Sequence, residues 1–395
     1  MATLPRIAYA TMRFPSLSET FAAVDLRALR SLGAEVSVLA LRGRPAGCAR
    51  ILAERGLAGM PVSHASFVGG LRGLGSLIGH PLAAAHLLSR IAAWSWRNPR
   101  HLAISLFLAP RAMEIFARLR RDPPDVLHLF WGHYPCLLAC LVQRFLPRVR
   151  TSIFLGAYDA EEAFGGSRPT AAGAHAVFTH ARANLADLAR LGIDPARVHV
   201  VHRGIDPVRL DQPAAVKVPG RVVVAGRLIA SKGIADALAA FALAAVPGAT
   251  LHVLGDGPER AQLERLAEER GLAGRVRFLG HVAHDRVYDE MNAAEVFLLL
   301  STKASERLPN AAKEAVACGC AVVVSRSPGI DELIEPGIGG WIVESRDAAG
   351  AARALAEACG DPVGRARRVD AARKVLRERF DAGKAMARYL AVWTS

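Results

Sequence analysis

Glu306 and Glu314 are separated by seven residues in the stretch SERLPNAAKEAVACGCAVVVS, residues 305–325. Ionised carboxylates only accept hydrogen bonds, so a pair at this spacing suits a ligand rich in hydroxyls. Pro309 fits the first turn of a helix, where its missing N–H costs little. A helix starting there leaves Glu306 in the loop before it and puts Glu314 about 1.5 turns in. The unpaired N–H groups of the first turn would add partial positive charge between the two acids. Two carboxylates so placed could take hydroxyls at two ends of one ligand, with phosphates held between. The plainer reading is that both acids steady the helix start; it suits Glu306 better than Glu314, which an apolar stretch follows.

Arg227 and Lys232 stand five apart in GRLIASKG, residues 226–233, after a strand-like run and before a helical one. No Gly precedes the Lys and no Ser or Thr follows it, so this is not a Walker A loop, and the G-x-G-x-x-G spacing is absent. Two cations and free backbone N–H groups at a helix start make a good seat for a diphosphate. Two basic side chains on an exposed loop is the competing reading. The turn LGDGPER, 254–260, sends the chain from a strand into a helix and by itself reads as structural.

These loops need a scaffold that delivers them to one edge. Short β-branched runs alternate with longer helical patterns, the mark of a parallel α/β fold. The first half offers strands at 6–10, 35–41, 125–130, 151–155, 175–179 and 198–201, with an amphipathic helix from Glu19 to Leu32. The second half offers 221–226, 250–255, 275–280, 295–300, 320–325 and 340–343. The Pro-rich segment 206–220 reads as the linker. Two doubly wound domains should therefore face one another, with ligands at the strand C-termini in the cleft between them. The basic run 365–393 reads as helix with a solvated Arg face.

Bulk composition narrows the classes. With 395 residues, 52% hydrophobic and 22% charged, the chain has ample core for two domains. The net charge of +14 is almost all arginine, the first lysine being Lys217. Such a surface attracts anions, but no aromatic-basic motif or zinc finger points to specific nucleic-acid binding. The six cysteines form no matched Cys-x2-Cys pairs, which argues against zinc and fits a reducing cytosol. The opening MATLPRIAYA runs straight into a strand-like segment, so no signal peptide is expected. No apolar run of about 18 residues predicts a spanning helix. The segment from Ser66 to Arg121 alternates apolar blocks with Arg around Trp94 and Trp96. It reads either as buried helices or as an interfacial patch touching an anionic membrane.

Taken in order, GRLIASKG, VRFLGHVAHDRVYDEMNAAEVFLLLS and SERLPNAAKEAVACGCAVVVS resemble the nucleotide-sugar domain of family-4 retaining glycosyltransferases of the GT-B fold. The first looks like that family's G-R-L-x3-K-G loop and the last like its E-x7-E element; the match is close over Arg221 to Val343. The N-terminal half is looser. FPSLSETFAAVDLRALRSLGAEVSVLALR looks like members that build bacterial exopolysaccharide or lipopolysaccharide. DVLHLFWGHYPCLLA resembles a D-V-x-H-x-H strand end, with Phe130 where a second His is common, and VVHRGID resembles V-x-N-G-V-D, with Arg203 for Asn. Arg307 stands where the E-x7-E element commonly has Gly, which bears on the donor the loop accepts.

The resemblance implies two facing Rossmann-like domains: 1–205 for the acceptor, 206–375 for the nucleotide sugar, and a helix at 376–395 packing back on the first. It implies transfer of a sugar, with retention, from a nucleoside-diphosphate sugar to a hydroxyl of a glycan or lipid-linked saccharide in cell-surface polysaccharide synthesis. Arg227 and Lys232, beside Gly226, would hold the diphosphate and stabilise it as leaving group. Glu306 would contact sugar hydroxyls with the N–H groups of Leu308, Asn310 and Ala311 around Pro309. Glu314 would take the ribose hydroxyls, and Gly255 would line the donor site. His128 or His133 would face the donor sugar. No cofactor or metal is implied, and the expected place is the cytoplasm, at the inner face of the membrane. A nucleotide-sugar epimerase of similar fold, or a non-catalytic nucleotide-sugar-binding scaffold, are the alternatives.

Overall fold

Runs of Val, Leu, Ile and Ala with no polar alternation need cover on both faces, and parallel sheets give it. The computed structural model describes residues 4–16, 20–212 and 215–395. It divides into two compact units, Met1–Gly204 with Ala382–Ser395, and Ile205–Asp381. Both are Rossmann-like, and together they make the GT-B architecture of two parallel-sheet domains.

The first unit holds strands β1 (Arg6–Thr11), β2 (Glu35–Gly43), β3 (Val62–Ala65), β4 (Val126–Leu129), β5 (Arg150–Phe154), β6 (Ala176–Thr179) and β7 (Val198–Val200). Their order is β3-β2-β1-β4-β5-β6-β7, and every pairing is parallel. All six expected strands form. The short strand β3 is an addition: its residues are only half-buried, so it carried no apolar signal. Helix α1 (Thr20–Ser31) forms within the expected 19–32 span, though Glu19 lies outside the described residues. The segment with two readings becomes three helices, α2 (Phe67–Gly79), α3 (Pro81–Ser95) and α4 (Pro99–Arg121).

The second unit holds β8 (Arg221–Ala225), β9 (Thr250–Leu254), β10 (Val276–Gly280), β11 (Val296–Leu299), β12 (Ala321–Ser325) and β13 (Trp341–Val343), in the order β10-β9-β8-β11-β12-β13, again all parallel. The helices that matter below are α5 (Ile234–Ala244), α6 (His284–Ala293), α7 (Asn310–Ala317) and α8 (Pro362–Arg379). Of the expected linker 206–220, Pro213 and Ala214 lie outside the described residues. Lys217 anchors the rest: its Nζ donates to Cys318 O at 2.6 Å and Met291 O at 3.3 Å, and burial lowers its pKa.

The basic run near the C-terminus differs from its expectation. It breaks at Phe380 into α8 and a separate helix, Ala382–Thr394. Several arginines of α8 are engaged inside the second unit rather than solvated. Arg365 pairs with Glu295 at 2.6 Å, Arg368 donates to Gly337 O at 2.6 Å, and Arg373 donates to Gln212 O at 2.7 Å. Helix ends leave carbonyls and turns that guanidinium forks fit well.

The C-terminal helix covers one face of the first sheet. Tyr389 stacks on Phe178 with centroids 3.8 Å apart, and the buried Trp393 donates from Nε1 to Ser152 Oγ at 2.7 Å. Trp393→Ala should destabilise the first unit by about 3–5 kcal/mol, the cost of emptying so large a site. Urea denaturation followed by circular dichroism checks this.

Candidate functional site

In a doubly wound sheet the ligand crevice opens where strand order reverses. In the second unit that point lies between β8 and β11, which pair in parallel. The loop after β8 carries Arg227 and Lys232; the loop after β11 carries Ser301 to Pro309. Two residues 74 apart in sequence meet there: Lys232 Nζ lies 2.5 Å from Glu306 Oε1. The other carboxylate oxygen, Oε2, lies 2.6 Å from Ser301 Oγ. Ser301 Oγ is also 2.8 Å from Ser231 O, and Thr302 N donates to the same carbonyl at 2.9 Å. The two loops are thus fastened together beneath the ion pair. Lys232 and Glu306 stay part-exposed, so their attraction contributes about 1 kcal/mol or less, and its main consequence is geometric. An ammonium has three N–H donors, and one is spent on Glu306.

A third loop completes the edge. Gly226 N donates to Leu254 O at 2.9 Å, Leu228 N to Asp256 O at 3.0 Å, and Glu259 N to Leu228 O at 3.2 Å. LGDGPER therefore packs backbone-to-backbone against GRLIASKG. Gly255 sits at φ +135°, and a Cβ there would fall 1.9 Å from Gly226 O. A motif that reads as a mere turn is the floor under the cationic loop.

Arg227 is exposed and, among the described residues, makes no ion pair. Leu308 and Pro309 are buried, and Pro309 precedes α7 at φ −60°, ψ 127° rather than lying inside its first turn. No side chain caps α7, so the amides of Asn310 and Ala311 keep their donors for another group. Glu314, inside α7, has Oε1 3.1 Å from Nε2 of His284, the first residue of α6. Arg307, where the family's element has Gly, is buried. Among the described residues no three His, Cys, Asp or Glu side chains gather to hold an ion.

The histidines of the first unit separate cleanly. His128 is fully buried, which corrects its reading as a residue facing a ligand. The reason is register: Val126, His128 and Phe130 share one face of β4, and the C-terminal helix covers that face with Tyr389 and Trp393. Its Nδ1 lies 2.7 Å from Ser152 Oγ, and burial, then the Arg203 charge, hold its pKa well below the ordinary value. His133 lies past the strand end, with its side chain part-exposed and Nδ1 3.6 Å from Asp159 Oδ1. Asp159 accepts from Gly132 N and Gly156 N, both at 2.8 Å, and so joins the loops after β4 and β5.

Sequence reading missed Ser301, His284 and Asp159. Ser301 had a usable signal, a small polar residue directly after an apolar strand. The other two act through partners about thirty residues away, and spacing does not reveal them.

Residues 19–209 match the family described as Glycosyltransferase Family 4, and residues 211–375 match Glycosyl transferases group 1. Among curated relatives, the lipopolysaccharide core biosynthesis glycosyltransferase LpsE of Rhizobium meliloti is 37% identical over 157 residues, 40% of this chain and 44% of that protein. The putative colanic acid biosynthesis glycosyltransferase WcaL of Salmonella typhimurium is 32% identical over 179 residues, 43% of this chain and 44% of that protein. These matches span less than half the length of either relative. Among solved structures, Anabaena HepE in complex with UDP and glucose superposes with a TM-score of 0.71 at 17% identity, covering 99% of this chain and 100% of that one. S. aureus TarM, with fondaparinux, a GlcNAc-glycerol and UDP, gives 0.73 at 10% identity, over 99% and 100%. At such identities the likeness is one of fold.

Gly255→Ala should cost about 1–3 kcal/mol, because a side chain there is both strained and in collision. A lowered midpoint in thermal denaturation is the expected reading.

Proposed function

The chain belongs to glycosyltransferase family 4 of the GT-B fold, and from that premise we propose that it transfers a sugar, with retention at the anomeric carbon, from a nucleoside-diphosphate sugar to an acceptor hydroxyl. The observation that carries the reading is the Lys232–Glu306 pair at the switch point, beside the uncapped start of α7. Cations and amides there suit a diphosphate, and carboxylates on either side suit hydroxyls.

Departure of the diphosphate places negative charge on its oxygens. Arg227, the two remaining N–H donors of Lys232 and the amides of Asn310 and Ala311 stabilise that charge from fixed positions. Gly226 and Gly255 keep the loop floor free of side chains, and Leu308 and Pro309 set the turn that aims the amides. Glu306, held by Lys232 and Ser301, takes sugar hydroxyls. Glu314 takes the ribose hydroxyls in competition with His284. His133, in place of His128, is the histidine assigned to the donor sugar. The reaction so drawn uses no metal.

The acceptor is a glycan or lipid-linked saccharide, in cell-surface polysaccharide synthesis, the work for which relatives of this chain are named. The protein acts in the cytoplasm, in peripheral contact with the anionic inner face of the membrane. Its net charge of +14 supports that contact, and no helix among the described residues is long and apolar enough to cross a bilayer.

A thermal-shift screen against nucleotide sugars, followed by detection of released nucleotide with lipid-linked acceptors, tests the reading. Each charge-assisted contact is worth roughly 1.5–3 kcal/mol. Lys232→Ala should therefore slow transfer by about tenfold to a hundredfold, at 1.36 kcal/mol per decade, with an unchanged circular dichroism spectrum. Transfer at the wild-type rate by both Lys232→Ala and Glu306→Ala would remove the site assignment.

A further inference from the structure

Helix α2 is built inside out. Its buried residues are Gly69 and Gly73, while Phe67, Val68, Leu71, Leu74 and Ile78 face outward. Gly73 is needed where it is: a Cβ there would lie 2.0 Å from Pro110 O of α4. Close seating on α4 thus uses the small face and turns the large apolar one to solvent. Phe67 is 82% exposed and Ile78 84%; Phe107 of α4, three residues before Pro110, is 79% exposed. An ordinary surface helix does the reverse.

Charge along this stretch of chain is one-sided. From Arg55 to Met113 the sequence holds no Asp or Glu. Arg72, Arg90, Arg97 and Arg100 are exposed, and among the described residues none of them makes an ion pair. Arg97 lies over the ring of Trp96, 4.7 Å from its centroid, and that ring is itself exposed. A protein partner would need an apolar patch ringed by acids to match both features. A bilayer with anionic headgroups takes both features at once: acyl chains for the apolar face, phosphates for the arginines.

We propose that α2, with Phe107 of α4 and the Trp96–Arg97 turn between α3 and α4, is the face by which this protein lies on an anionic membrane. The proposal rests on the peripheral-membrane reading above and adds the surface that makes the contact. It leaves out α8, the other basic helix, where Arg365, Arg368 and Arg373 are bound within the second unit.

The test is cosedimentation of the full chain with vesicles of phosphatidylglycerol and phosphatidylethanolamine, against phosphatidylcholine alone. Wild type should pellet with the anionic vesicles and be released by salt. Phe67→Ser with Ile78→Ser, both at exposed positions, should cut the bound fraction about tenfold or more while leaving the melting temperature unchanged. Arg72→Glu with Arg97→Glu should do the same. Arg367→Glu with Lys374→Glu, exposed on α8, should bind as wild type does. If only the α8 variant loses binding, the assigned face is wrong and the membrane reading stands. If wild type fails to pellet at low salt, both fall. If wild type self-associates without lipid and Phe67→Ser with Ile78→Ser is monomeric, the face joins two copies and the proposal is overturned.

Discussion

Every strand of both sheets runs in one direction, so within each unit all the strand-end loops leave from a single edge. That constraint makes the site. β8 and β11 are neighbours though 70 residues separate the end of one from the start of the other. Their adjacency brings Lys232 within hydrogen-bond distance of Glu306. The third contributor, the loop after β9, is zipped to the first by backbone bonds and admits only a glycine at 255. Lys232 and Glu306 meet because strand order reverses between β8 and β11.

Much of this was legible beforehand. The strand runs of both halves were readable because buried parallel strands are continuous apolar blocks, and the loops that carry Arg227, Lys232 and Glu306 because Gly226, Gly233 and Pro309 mark them as turns. Failures came where neighbours in space decide. β3 is half-buried at a sheet edge, so it lacks the apolar block. His128 looked like a ligand-facing residue by likeness to a strand-end pattern. Alternation along β4 already grouped it with Val126 and Phe130, but only the C-terminal helix, more than 250 residues on, shows that this face is closed. The arginines of α8 looked solvated because nothing in their own sequence names Glu295 or Gln212 as partners.

Two departures from the family pattern, Phe130 and Arg203, seemed independent in the sequence. In the first unit they touch. The Arg203 guanidinium lies 4.2 Å from the Phe130 centroid, 3.9 Å from that of Phe154 and 4.9 Å from that of Phe21, with Asp25 Oδ2 at 3.2 Å. A buried cation needs a counter-charge and polarisable faces, and here Asp25 and the rings of Phe21, Phe130 and Phe154 supply them. Had a histidine occupied position 130, the cage would hold a second titratable group beside the guanidinium. The two substitutions therefore form one unit of chemistry at the end of the β4–β7 half of the sheet.

The same logic of partners divides the arginines. A net charge of +14 says nothing about where a cation is available, because a guanidinium already serving a carboxylate or a carbonyl has less to give. On α8 the forks of Arg365, Arg368 and Arg373 close on partners within their own unit. Among the described residues those of Arg72, Arg90 and Arg100 meet no acid, and the 59 residues from Arg55 to Met113 supply none. Apolar exposure follows the same boundary, since the face of α2 that carries Phe67 and Ile78 is the one its glycines cannot bury. Loss of one feature without the other would leave either a sticky helix or a merely basic one. Held together on one stretch of chain, they specify a surface that is apolar and cationic at once, and a layer of anionic headgroups over hydrocarbon complements both properties.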